Sequence, residues 1–186
     1  MKMLKKMAAL LLAGVMAMAL LTACGDEAPS KSFAQQVEET AFEAMKQSTG
    51  IQVNDADLKK LAESKIDQID KENGTFDFKN ALDIQALIKE IQELQDMDAE
   101  INVKAAMPLP ESVVTTDKPY KVLEVTPENI GEVAKVVAKM GKLDNTGLKV
   151  NKLGIAAKTV NGKTYVAVAM DVTTSVEEVL SMLGVG

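Results

Sequence analysis

The chain has 186 residues, 47% hydrophobic and 26% charged, with 21 basic against 27 acidic side chains for a net charge of −6. Every base is lysine, and there is no histidine. This excludes an imidazole general base or metal ligand and bidentate arginine reading of carboxylate, phosphate or guanine, and the excess of acid argues against nucleic acid.

Residues 1–6 hold Lys2, Lys5 and Lys6, and 7–21 form an apolar run of 15 residues. A membrane-spanning helix needs ~20, so this length is that of a signal-peptide core. The run closes on Leu21-Thr22-Ala23-Cys24, which holds the only cysteine. That ending resembles the bacterial lipobox: an aliphatic residue, two small ones, then a cysteine that receives a diacylglyceryl group before cleavage. The resemblance implies cleavage after residue 23, lipidation of Cys24 and a mature chain held at a membrane through diacylglyceryl-Cys24. A plain secretory signal with a chance cysteine and an uncleaved anchor are the alternatives. Two acyl chains anchor stably where one is marginal, at ~0.8 kcal/mol per buried CH₂. Gly25, where an aspartate would retain the protein in an inner membrane, leaves an outer membrane or the outer face of a single-membrane cell.

Loss of the three leader lysines leaves 18 lysines against 27 acids, a formal −9. Such a domain is repelled by an anionic bilayer rather than laid on it. One cysteine forms no internal disulfide, and with aromatics at only 3% the core rests on Leu, Ile, Val, Ala and Met. The expected organisation is a leader over 1–23, lipidated Cys24 with a short linker over 24–32, and one domain over 33–186. The polar stretch 25–31 reaches at most ~25 Å, which keeps the domain near the membrane.

In the domain, Ser32 with Gln35 reads as a capping box opening a helix over 33–48, with Val37, Ala41 and Met45 as its stripe and Gly50 as its stop. Asn54 or Asp55 caps a second helix, expected to run to 72, with Leu58, Leu61, Ala62, Ile66 and Ile69 at helical spacing. After a turn containing Phe76 and Phe78, a third helix is expected over 80–96, its face formed by Ile84, Leu87, Ile88, Ile91 and Leu94. The stretch 99–125 is broken by Pro108, Pro110 and Pro119; only 113–116 and 120–125 read as strands there. Thr126-Pro127-Glu128 reads as a helix start, and Ile130, Val133, Ala134 and Val137 carry the helix to Met140.

A polar loop over 142–152 precedes the plainest hairpin of the chain, 153–160 and 163–172 joined by Asn161-Gly162, the pair a type I′ turn prefers. The two-residue loop sets Thr159 opposite Thr164, Ala157 opposite Val166, Ile155 opposite Val168 and Leu153 opposite Met170. The other face carries Gly154, Ala156, Ala167 and Ala169, small residues where a solvated face would hold charge, so a helix is expected to pack closely there. Thr174 and Glu177 read as a capping box for a last short helix. The fold class expected is α+β: a helix/sheet/helix sandwich with a small, mostly antiparallel sheet and four to five helices.

Over about 33–172 this order resembles the CAP superfamily of cysteine-rich secretory, antigen 5 and pathogenesis-related domains. The matching stretches are Leu58, Ala62 and Ile66 leading to Phe76-Asp77-Phe78, then 133–140, then Lys152-Leu153-Gly154-Ile155-Ala156 running into Lys163-Thr164-Tyr165-Val166-Ala167-Val168. The resemblance implies an α-β-α sandwich. The family's histidines are missing near Phe78 and near Gly141-Lys142, so its cavity residues and any metal bound through them do not carry over.

No other chemistry is assembled by the sequence. Ser64 and Lys65 point about 100° apart on a helix. Asp67, Asp70 and Glu72, and likewise Asp96, Asp98 and Glu100, read as solvated helix ends; Asp70 to Gly74 lacks the glycine position and bidentate acid of a calcium loop. Catalytic residues, metal ligands and cofactors are all expected to be none. The expected function is a membrane-tethered, extracytoplasmic, non-catalytic binding or scaffold module whose partner is an unidentified protein or cell-envelope component. The alternatives are a carboxylate-dependent cell-wall hydrolase and a carrier of a small apolar ligand.

Overall fold

The computed structural model describes residues 31–94, 99–112, 114, 118–141 and 148–183. The leader, Cys24 and most of the linker lie outside them, as do 95–96 at the end of the expected third helix and most of the expected strand over 113–116. The chain divides into two compact units, Met1–Phe33 and Ala34–Gly186, and the architecture below is that of the second. Among the described residues it is α+β, with five helices and two small antiparallel sheets.

Helix α1 (Phe33–Thr49) buries Val37, Ala41, Ala44 and Met45 and stops at Gly50, whose φ of +77° only glycine adopts freely. Helix α2 (Ala56–Asp67) starts at Asp55, not Asn54. The Asp55 carboxylate accepts from the N–H groups of Asp57 and Leu58, both at 3.0 Å. The helix ends five residues before the expected 72, because Asp70 draws the chain into a turn: its carboxylate accepts from the N–H groups of Glu72 and Asn73, and its own N–H donates to the Thr75 carbonyl.

Strand β1 (Thr75–Phe76) and a 3₁₀ turn (Phe78–Asn80) follow, so helix α3 (Ile84–Leu94) begins four residues later than the expected 80. The intervening Ala81 and Leu82 pair with strand β2 (Glu100–Pro108). β2 lies in the proline-broken stretch 99–125, ahead of the two strands expected there. Pro108 is accommodated because it ends an edge strand at an outward-facing position, where no ladder N–H is needed. Strand β3 (Tyr120–Lys121) is shorter than the expected 120–125 and pairs with β1. Helix α4 (Ile130–Met140) begins after a turn in which the Asn129 side chain accepts from the Thr126 N–H at 2.8 Å; the expected start at Thr126 is that turn.

Strands β4 (Lys149–Val160) and β5 (Lys163–Ser175) form the hairpin in the expected register, from Thr159 opposite Thr164 to Leu153 opposite Met170. Asn161 and Gly162 hold φ of +52° and +78°, the left-handed values of a type I′ turn. Both strands run further than expected, with a bulge at Asn151 between Val150 and Lys152. Helix α5 (Val176–Leu183) takes its N-cap one residue later than expected: the Ser175 hydroxyl accepts from Glu178 N–H at 3.2 Å. Thr174 is instead buried, and its hydroxyl has no hydrogen-bond partner among the described residues.

The principal sheet has the order β2-β5-β4. On its small-residue face lies α2, whose Leu58, Ala62 and Ile66 share one core cluster with Ala156, Ala167 and Ala169. Gly154 sets the approach: a Cβ there would collide with the backbone of Leu58 and Lys59. On the opposite face, Val103 and Val172 form a second cluster with Leu87 of α3 and Val176 and Val179 of α5. Leu153, Ile155, Val166 and Val168 on that same face are fully buried. α1 and α4 meet at their C-terminal ends, where a Cβ on Gly141 would strike Ser48 and Met45. The sheet is thus covered by helices on both faces.

Candidate functional site

Leu21, Thr22, Ala23 and Cys24 lie outside the described residues, so the lipidation site is carried by sequence alone. Eight residues separate Cys24 from the start of α1 at Phe33. Among the described residues, no helix is long and apolar enough to cross a membrane.

Among the described residues, at least three hollows are found. The first, of about 400 Å³, is a groove between α3 and the outer edge of β2. Leu82, Leu87 and Val103 form its floor, and Asp83 and Glu90 stand on one wall against Asn102 and Lys104 on the other. The second, of about 360 Å³, lies between α2 and the start of α3, with Lys65, Lys79 and Asp83 around it. The third, near the hairpin tip, encloses only about 80 Å³ between Ile66, Ile69 and Tyr165. A pocket for a small organic ligand has ~300–1,000 Å³ and is closed around it, which the third cannot supply.

Two ionisable groups of the larger hollows, Asp83 and Lys65, are engaged structurally. Asp83 caps α3, accepting from Ala86 N–H at 3.1 Å. Lys65 donates to the Asn80 carbonyl; burial lowers its pKa, and the neighbouring Asp83 pulls the other way. Ser64 donates instead to the Leu61 carbonyl at 2.7 Å, so Ser64 and Lys65 do not serve one another. Asp67 is paired with Lys158 at 2.6 Å. Asp70 is held below its usual range, first by the Asn73 side chain and then by backbone N–H groups. No group of three potential metal ligands occurs among the described residues.

The site that sequence reasoning missed is the β2 edge. Its signal was the strict polar/apolar alternation Glu100-Ile101-Asn102-Val103-Lys104, a period-two pattern hidden by the prolines beyond it. On the small-residue face, beyond the N-terminus of α2, Asn102, Asn151 and Thr173 join across all three strands. Asn151 Nδ2 donates to Thr173 Oγ1 at 2.7 Å, and that hydroxyl donates to Asn102 Oδ1 at 2.8 Å. The arrangement gives the domain a polar cluster across the sheet with a groove beside the β2 edge.

No family model matches the chain, and neither any curated protein nor any solved structure does.

Proposed function

We propose that this chain is a lipid-anchored, extracytoplasmic, non-catalytic binding module. The observation that carries the reading is Leu21-Thr22-Ala23-Cys24 closing a short apolar run behind three lysines. The membrane link is diacylglyceryl-Cys24, and the acid excess of the mature chain keeps the folded domain off the bilayer surface, with its faces free for a partner.

The placement of acids supports binding over hydrolysis. Asp83 and Glu90, the two carboxylates lining the groove beside β2, stand at the cap and on the body of one helix, seven residues apart, which is about 10.5 Å along its axis. A glycosidase sets its pair ~5–9.5 Å apart across the bond it cleaves, and Asp83 is already spent as a helix cap. The likeness to CAP domains belongs to this proposal too. It is supported by α2 seated on the Gly154 strand and by the hairpin that carries Tyr165.

Metabolic labelling with a fatty acid tests the anchor. The wild-type chain is expected to take up label and to sediment with membranes, and Cys24→Ala to do neither. Label retained by Cys24→Ala would overturn the reading.

A further inference from the structure

The chain contains two Asn-Gly pairs, Asn73-Gly74 and Asn161-Gly162, and every other asparagine precedes a residue with a Cβ. In an Asn-Gly pair the glycine nitrogen can close on the asparagine side-chain carbon, because no Cβ stands in the way. The fold treats the two pairs oppositely. At Asn73 the side-chain amide donates to Asp70 Oδ2 at 2.7 Å, and the backbone N–H donates to Asp70 Oδ1 at 3.2 Å. The 73–74 peptide is held from both sides. Its Gly74 N–H donates to the Asp70 carbonyl at 2.7 Å, and its carbonyl accepts from Lys121 Nζ.

Asn161 stands exposed at the tip of the β4-β5 hairpin, where the ladder ends with Val160 opposite Lys163. Among the described residues, neither its side chain nor the 161–162 peptide has a hydrogen-bond partner. In a type I′ turn the first central residue has ψ of about +30°, which turns the next nitrogen away from the side chain. In type II′ that ψ is about −120°, which brings the nitrogen beside the side-chain carbon. The two turns differ by a flip of the 161–162 peptide. The flip leaves Asn161 at its positive φ of +52° and takes Gly162 from +78° to about −80°, a crossing that glycine makes freely. Both turns suit a hairpin, so the strands keep their register through it.

We infer that Asn161 is a self-modifying site, converted in the folded chain through a cyclic imide to isoaspartate and aspartate, while Asn73 is protected. The Gly162 nitrogen gives up its proton to water or hydroxide and bonds to Asn161 Cγ; the Cγ–Nδ2 bond breaks and ammonia leaves. One water then opens the ring. Its attack at Cγ gives aspartate, and its attack at the backbone carbonyl carbon gives isoaspartate, in which the main chain runs through the side chain. Isoaspartate lengthens the turn by one methylene, and either product adds a negative charge to the hollow that Asn161 shares with Lys71 and Lys163. A two-residue loop sets the register of the hairpin, so the longer turn loosens it. This inference does not depend on the lipid anchor.

In the test, the full chain is kept folded at mildly alkaline pH while peptide mapping separates asparagine, aspartate and isoaspartate at both pairs. Isoaspartate is expected at 161, with 73 slower by about tenfold or more, since several hydrogen bonds must open there and one or two suffice for that factor. In urea both pairs are free, and the two rates are expected to converge. Asp70→Ala removes most of the bonds around Asn73 and is expected to speed its reaction about tenfold, with 161 unchanged. Lys121→Ala, which frees only the 73–74 carbonyl, is expected to give a smaller rise at 73. Gly131 has open space around its would-be Cβ, so Gly131→Ala is expected to raise global stability and to leave the rate at 161 unchanged, because the flip needs no unfolding. No isoaspartate at 161 in the folded chain overturns the inference. So does equal reaction at 73, or a rate at 161 that falls when Gly131→Ala stabilises the chain.

Discussion

Asn54 hydrogen-bonds both backbone groups of Ile155, its side-chain amide donating to the carbonyl at 3.0 Å and accepting from the N–H at 2.8 Å. One side chain here does the work of a neighbouring strand. It closes the edge of β4 and sets the next residue, Asp55, to donate its own N–H to the Leu153 carbonyl and cap α2. Sheet edge and helix start are therefore one device. Asn54→Ala leaves a half-buried N–H and C=O unpaired and is expected to cost about 1–3 kcal/mol. Asn54→Asp keeps the acceptor but sets a carboxylate against a carbonyl, and is expected to lose stability as well. Urea unfolding measures the cost, and faster hydrogen exchange at the Ile155 amide locates it.

Gly154 fixes how close α2 comes to the sheet, since a Cβ there would meet the Leu58 backbone rather than a movable side-chain end. Gly154→Ala is expected to push the helix outward at a cost of about 1–3 kcal/mol, the range for overpacking a filled core. Gly131, within α4, has nothing within 4 Å of its would-be Cβ. There the same change removes only glycine's backbone freedom and is expected to stabilise by about 0.5–1 kcal/mol. Opposite signs for two glycine-to-alanine changes, read by urea midpoint, separate a packing role from a propensity effect.

The acid limb of stability is expected to follow the carboxylates that organise turns and caps. The Leu58 N–H, ahead of Asp57 and Lys152, lowers Asp55; the Asn73 side chain lowers Asp70; the Thr126 hydroxyl lowers Glu128. Each folded pKa lies below its unfolded value of 3.8, or 4.5 for the glutamate. Their contribution is therefore present in full above those values and is lost as pH falls through the depressed folded ones. Urea midpoints taken downward from about pH 5 should fall mainly below pH 4. Asp55→Asn with Asp70→Asn keeps acceptor oxygens at the cap and the turn, and is expected to flatten that fall.

What was legible in the sequence was set by local rules. The register of the hairpin follows from a two-residue turn, and the close helix on its second face follows from Gly154, Ala156, Ala167 and Ala169. What was not legible was decided by partners distant in sequence. Nothing near Pro108 announces that its missing N–H points off an edge strand, and nothing near 80–83 shows that Ala81 and Leu82 will bridge to β2 before α3 begins. Asp70 carries a local signal, since an Asx turn ends a helix as firmly as glycine does, but Asn73-Gly74 close by offers an equally good stop for a helix running to 72. The groove along β2 could not be read before β2 itself.

Tyr120 ties two of these irregular segments together and makes an alkaline test. Its hydroxyl donates to the Pro108 carbonyl at 2.7 Å, and its ring packs at a tilt on Phe76 with centroids 5.7 Å apart. Burial pushes the phenol well above its ordinary value of 10.0, because an unpaired anion in that core would lose its hydration. With the folded pKa raised, the stabilising contribution is whole below pH 10 and is lost as pH climbs from there toward the folded value. The wild type is expected to lose stability steadily above pH 10. Tyr120→Phe removes the hydroxyl and strands a buried carbonyl, at a cost of about 1–3 kcal/mol at neutral pH, but it also removes the titrating group. Its loss relative to wild type should therefore shrink as pH rises above 10. Urea midpoints of both chains over that range decide the matter: a gap that stays constant would mean that Tyr120 does not govern the alkaline limb.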